Sequence, residues 1–144
     1  IVLFLLMPRI LLRFSVRQVL LASFSLAAVR WLLLGSFASV LPILLLVQLF
    51  HAATFGAFHA AAMQFIQQEF PAHHQGMGQS LYVSLSGVGA AIGALYAGYL
   101  WQPAGAFVTF ALAGVVVMVA LLATWLWLPK QAMPEAVISG KEQT

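Results

Sequence analysis

The sequence predicts an all-α integral membrane protein, a helical bundle of four full transmembrane helices plus the end of a fifth, and three observations carry that prediction. Of 144 residues, 63% are hydrophobic and 6% charged, whereas soluble domains carry roughly 25% charged residues. The mean hydropathy is +1.02, too apolar for a chain that must cover a water-facing surface. The apolar residues also fall in long runs separated by breaks rich in proline, glycine and polar residues. At about 20 apolar residues per crossing of a ~30 Å hydrocarbon core, the length holds four complete spans and part of another.

The first predicted helix covers residues 1–12. Ile1 to Met7 is apolar from the start, lacks the charged n-region and cleavage site of a signal peptide, and is too short to span alone. The chain is therefore expected to continue upstream, with further helices of the same protein completing this one. Arg9 and Arg13, with Arg17, read as a basic loop around Pro8 and Ser15. The second helix, 19–34, is interrupted by Arg30 and Trp31, and Gly35-Ser36 reads as the turn that ends it.

The third helix, 40–66, has Pro42 in its first turn, where a missing N–H breaks no intrahelical bond, and ends before Pro71. Its 27 residues over-span the core, so it must tilt or project. The polar, glycine-rich loop 71–78 leads to the fourth helix, 79–101. Gln102-Pro103-Ala104-Gly105 reads as the next turn, and the fifth helix, 106–128, closes at Pro129-Lys130. Residues 1–130 thus form one membrane domain, and residues 131–144 are expected to be a disordered cytoplasmic tail.

Arg9, Arg13, Arg17, Lys130 and Lys141 fall on one side of this alternating topology, and the turns at Gly35 and Gln102 carry no Lys or Arg. Positively charged short loops stay cytoplasmic, which puts the C-terminus inside a multi-pass protein of the cell (inner or plasma) membrane. Trp31, Trp101, Trp125 and Trp127 fall near helix ends, as interfacial belts require. The formal charge of +3 is too small and scattered for a nucleic-acid footprint. With no cysteine, thiolate chemistry is excluded. His73 and His74 lack the three or four convergent groups of a metal site, so no metal or cofactor is expected. No nucleophile with its base and no phosphate loop is present, which argues against an enzyme.

Ionisable side chains inside a membrane span are costly and mark candidate sites. Three qualify: Arg30, His51 and His59. At 100° per residue, Gln48, His51, Thr54, Phe55, Phe58 and His59 share an arc of about 140° on the third helix. One reading has this polar and aromatic stripe lining an aqueous cavity, with His51 near mid-membrane. The other has each histidine donating to a carbonyl of a neighbouring helix and cementing packing. Ala53, Gly56, Ala57, Ala60 and Ala61 form a small-residue face on the opposite side. Arg30 either snorkels outward from its stem or pairs with an anion. Gly89 and Gly93 make a small-residue face suited to close helix packing.

The run Met7-Pro-Arg-Ile-Leu-Leu-Arg-Phe14 and the helices after it resemble the last helices of a major facilitator superfamily transporter. Arg30-Trp31-Leu-Leu-Leu, the stretch from Leu49 to Ala62 and Gly76-Met-Gly-Gln-Ser-Leu-Tyr82 resemble its phenylpropionate permease and nucleoside-symporter-like branch, related to lactose permease. The resemblance implies helices eight to twelve of a twelve-helix protein, the C-terminal part of a two-half fold with its substrate site near mid-membrane. It matches His51 to a histidine of the coupled sugar and proton site in lactose permease. Thr54 stands where that relative has a glutamate, so the proton-carrying role does not transfer. Arg9 and Arg13 match a degenerate form of the superfamily's basic cytoplasmic loop.

The implied function is secondary active transport of a small organic solute such as an aromatic acid, nucleoside or sugar, with protons as the coupling ion. The rival reading is a small non-transporting membrane protein that binds a partner through the Gly89 and Gly93 face.

Overall fold

A computed structural model describes residues 2–129 and places them in four helices: α1 (Val2–Arg13), α2 (Val16–Phe37), α3 (Leu41–Glu69) and α4 (Gln75–Trp127), with a single 3-10 turn at Ala72–His74. No strand occurs among the described residues. Ile1 and the tail expected over residues 131–144, with Lys130 and Lys141, lie outside them.

The link from α1 to α2 is shorter than the sequence suggests. Ser15 caps α2: its side chain accepts from the Gln18 backbone N–H at 3.3 Å, while Gln18 Oε1 accepts from the Ser15 N–H at 2.9 Å. This reciprocal box satisfies two otherwise orphaned donors, leaving Phe14 and Ser15 as the whole connection. Arg9 and Arg13 therefore sit on the last turns of α1, exposed, and not in a loop. Ser15→Ala is expected to cost about 1 kcal/mol, read as a lowered midpoint in thermal unfolding of the full-length protein in detergent.

Gly35 does not end α2, which runs on to Phe37. A Cβ at Gly35 would meet the Phe107 carbonyl oxygen at 3.4 Å and Phe110 Cβ at 3.5 Å. The missing side chain serves close approach of a second helix, a role that a turn signal mimics in sequence. α3 starts with proline in its first turn and stops at Phe70 (φ −100°, ψ 131°), because a residue before proline is pushed out of the helical region.

α4 is two helices meeting at a corner. Its backbone leaves helical geometry at Gly105 (φ 75°, ψ 176°), a conformation essentially restricted to glycine. Tyr96 Oη lies 3.5 Å from the Thr109 carbonyl, although 13 residues of straight helix would separate them by about 20 Å. The arm 106–127 therefore folds back beside the arm 75–104. The corner falls inside the turn expected over Gln102–Gly105, narrowed to one residue.

Contacts at the helix ends agree with alternating topology. Arg17 Nη2 donates to the Trp125 carbonyl at 2.8 Å, joining the start of α2 to the end of α4, and Gly35 meets Phe107 and Phe110 at the opposite level. α2 and α3 are apolar helices of 22 and 29 residues, long enough to cross a bilayer, and the 56-residue apolar stretch Ala72–Trp127 is broken at Gly105 into two such lengths. α2 is the centre of the bundle, with α3 on one side and the second arm of α4 on another. Val16, Val19 and Leu20 of α2 form a core with Ala61 of α3, against which Ile10, Phe24, Phe58 and Leu128 pack.

The first arm of α4 behaves differently. Residues 83–92 are exposed all round, and a Cβ at Gly89 or Gly93 would meet nothing within 4 Å. The packing expected for these two glycines has no partner among the described residues.

Candidate functional site

α3 runs with Val47, Thr54 and Ala61 buried, a seven-residue repeat that keeps one face turned to a neighbour. The stripe expected on this helix straddles the edge of that face. Thr54 (6% exposed) and Phe58 lie toward α2, whereas Gln48, His51 and Phe55 are exposed. Thr54 Oγ1 donates back to its own helix, 2.9 Å from the Phe50 carbonyl and 3.1 Å from that of His51.

At this edge a cavity of about 170 Å³ opens between α2, α3 and the second arm of α4. α2 contributes Ser23, Phe24, Ala27, Arg30 and Trp31; α3 contributes His51, Thr54, Phe55 and Phe58; Val117 closes it from α4. The structure thus brings together Arg30, His51, Thr54, Phe55 and Phe58 from the residues singled out in the sequence. Gln48 does not line the cavity.

Arg30 is 7% exposed, which overturns the snorkelling account. Its side chain turns inward against Trp31: the guanidinium carbon lies 4.0 Å from the Trp31 ring centroid, within cation–π range. Trp31 stacks on Phe110 at 5.6 Å and 24°, and Trp101 meets Phe110 edge-on at 5.9 Å. Trp31 is thus the half-buried floor beneath Arg30, while Trp101, Trp125 and Trp127 are exposed, as belt residues are. Arg30 Nε has no hydrogen-bond partner among the described residues.

His59 belongs to a second cluster. Its Nδ1 lies 3.1 Å from the Tyr82 hydroxyl, and a ladder of rings descends α3 from His51 to Phe55 at 5.9 Å and from Phe55 to His59 at 6.2 Å. Tyr82 also meets Phe58 at 6.3 Å. The sequence alone does not mark Tyr82, because one tyrosine on an apolar helix has no spacing to single it out. Trp31 carried a usable signal, its adjacency to an intramembrane arginine. His73 and His74 are exposed on the 3-10 turn, and no group of three metal-ligating side chains occurs among the described residues.

The arrangement offers one fixed cation, one titratable imidazole and a wall of aromatic rings, open to one side within the membrane-spanning part of the bundle. It can hold an organic solute. The model of the MFS_1 like family matches residues 1–112. The chain is 34% identical over 110 residues to the probable 3-phenylpropionic acid transporter of Escherichia coli (strain K12), a match that covers 73% of this chain and 27% of that protein. The chain therefore spans about a quarter of the length of this curated relative. No solved structure matches.

Proposed function

Because this multi-pass membrane chain belongs to the MFS_1-like family of the major facilitator superfamily, we propose that the whole protein is a secondary active transporter of a small organic solute, working by alternating access. The observation that carries this reading is the cavity where Arg30 and His51, on adjacent membrane helices, face one space walled by Phe24, Phe55 and Phe58. Intramembrane ionisable groups that share a cavity are the usual mark of a substrate or ion path. Aromatic acids are the first solutes to test, since a relative is named for one; nucleosides and sugars follow.

Protons are the proposed coupling ion. His51 is the titratable side chain on the cavity, and imidazole changes charge within the physiological range. Thr54 supplies no proton-carrying carboxylate, so His51 or a carboxylate elsewhere in the full protein fills that role. Helices from the remainder of the protein cover the bare first arm of α4 around Gly89 and Gly93. The basic end of α1, with Arg9 and Arg13, sits on the cytoplasmic side of the cell membrane.

Uptake of labelled 3-phenylpropionate by vesicles holding the full-length protein tests this reading. An inward proton gradient is expected to accelerate uptake and a protonophore to remove the acceleration. His51→Ala is expected to reduce uptake at least roughly tenfold, the scale of one lost hydrogen bond to a charged group. Gln48→Ala, outside the cavity, is expected to change it less. Uptake that His51→Ala leaves intact would remove the cavity from the transport path.

A further inference from the structure

We propose that Arg30 is the anchor for the carboxylate of the transported solute, and that the site selects aromatic monocarboxylates over uncharged analogues of the same shape. This rests on the transporter reading above.

A guanidinium that is 7% exposed must be neutralised, because a buried charge without a partner costs several kcal/mol. The described residues offer it a ring and no hydrogen-bonded acceptor: the Trp31 ring centroid lies 4.0 Å from the guanidinium carbon, and Nε is unbonded. A cation–π contact uses none of the N–H hydrogens, and the N–H fork of a guanidinium matches a carboxylate in two parallel hydrogen bonds. The chain has three acidic residues, Glu69, Glu135 and Glu142. Of these Glu69 alone lies in a described helix, 18 residues beyond His51 on α3, about 27 Å along the axis. It does not reach Arg30.

The cavity beside the guanidinium has the complementary shape for an acid with an aryl group. Its volume of about 170 Å³ compares with the roughly 150 Å³ of an apolar cavity that takes up benzene. Phe24 and Phe58 lie 5.5 Å apart and tilted at 52°, with Phe55 beside them, an arrangement that can meet a ring by edge and by face. Thr54 is satisfied by its own helix, and of the polar groups left on the cavity, Ser23, Arg30 and His51, Arg30 carries the fixed charge that recognises a carboxylate. Arg30 is the fixed cation among the described residues that line the cavity, and it calls for a negative charge on the solute.

The deciding experiment measures binding of 3-phenylpropionate and of its uncharged primary amide to purified full-length protein in detergent, for wild type, Arg30→Gln and Arg30→Lys. Wild type is expected to prefer the acid by roughly 10- to 100-fold, the range set by a hydrogen-bonded charge pair. Arg30→Gln is expected to erase that preference by weakening the acid while leaving the amide within about twofold, and Arg30→Lys to restore part of it. Equal wild-type affinity for the two ligands overturns the proposal without any variant. It is also overturned if Arg30→Gln keeps the preference, or if it weakens both ligands alike, as a structural ion pair with a carboxylate elsewhere would. A wild-type protein that moves no solute in vesicles removes the transporter reading itself; one that moves a neutral solute while ignoring the acid removes the anchor alone.

Discussion

Leucine at Gly78 is expected to destabilise the full-length protein by about 1–3 kcal/mol, the cost of forcing extra side chain into a filled site. Gly78 is buried at the start of α4 where it crosses the end of α3. A Cβ there would lie 2.7 Å from Ile66 Cγ2 and 3.2–3.3 Å from the Phe70 ring. Ile66 cannot easily yield, since its Cγ2 branches at Cβ and its χ1 is held in one well on a helix. The proline-terminated end of α3 fixes Phe70 in turn. Gly76, two residues earlier, has open space around it, so Gly76→Ala should be neutral or gain up to about 1 kcal/mol of helix propensity. Thermal unfolding in detergent, followed by circular dichroism, separates the two. A Gly78→Leu protein that melts with wild type would mean that α3 and α4 do not cross at this distance.

The second large effect belongs to Gly105. A Cβ there would meet nothing within 4 Å, yet φ 75° and ψ 176° lie where a side chain costs of order 1–3 kcal/mol, so Gly105→Val acts through the backbone. Asparagine, which tolerates the left-handed helical region, gives no rescue because ψ is wrong for it. The expected response is an opened corner, with Tyr96 leaving Thr109 and Trp101 leaving Phe110. In a full-length protein made otherwise free of cysteine, Tyr96→Cys with Thr109→Cys introduces a pair for a short thiol cross-linker. Efficient cross-linking with Gly105 present and weak cross-linking in Gly105→Val is the expected result; equal yields would show that the corner does not depend on this residue.

The membrane class, the number of apolar segments and the corner near Gly105 were legible in the sequence, because a crossing needs a long apolar run and a break needs proline, glycine or polar residues. Local chemistry with two uses was not. Gly35 reads as a stop, but the same missing side chain lets α2 approach Phe107 and Phe110. Arg9 and Arg13 read as a loop because charge suggests solvent, whereas the Ser15 cap keeps the connection to two residues. The α3 stripe followed from periodicity, yet which edge meets α2 depends on neighbours that a single helix does not encode. Arg30 shows this most directly. α2 is apolar around most of its circumference, so nothing in its own pattern indicates that Arg30 points inward; the ring of Trp31, braced by Phe110 some 80 residues later, decides it.

The central place of α2 has a consequence for how the protein is made. Helices leave the ribosome in order, but α2 completes its packing with the second arm of α4, through Arg17 on Trp125, Trp31 on Phe110 and the Val16 core on Leu128. Until those residues emerge, α2 waits in the bilayer with Arg30 lacking its braced ring. Packing of α2 is therefore a late event that waits for the arm 106–127, and premature termination before residue 106 removes the support of α2.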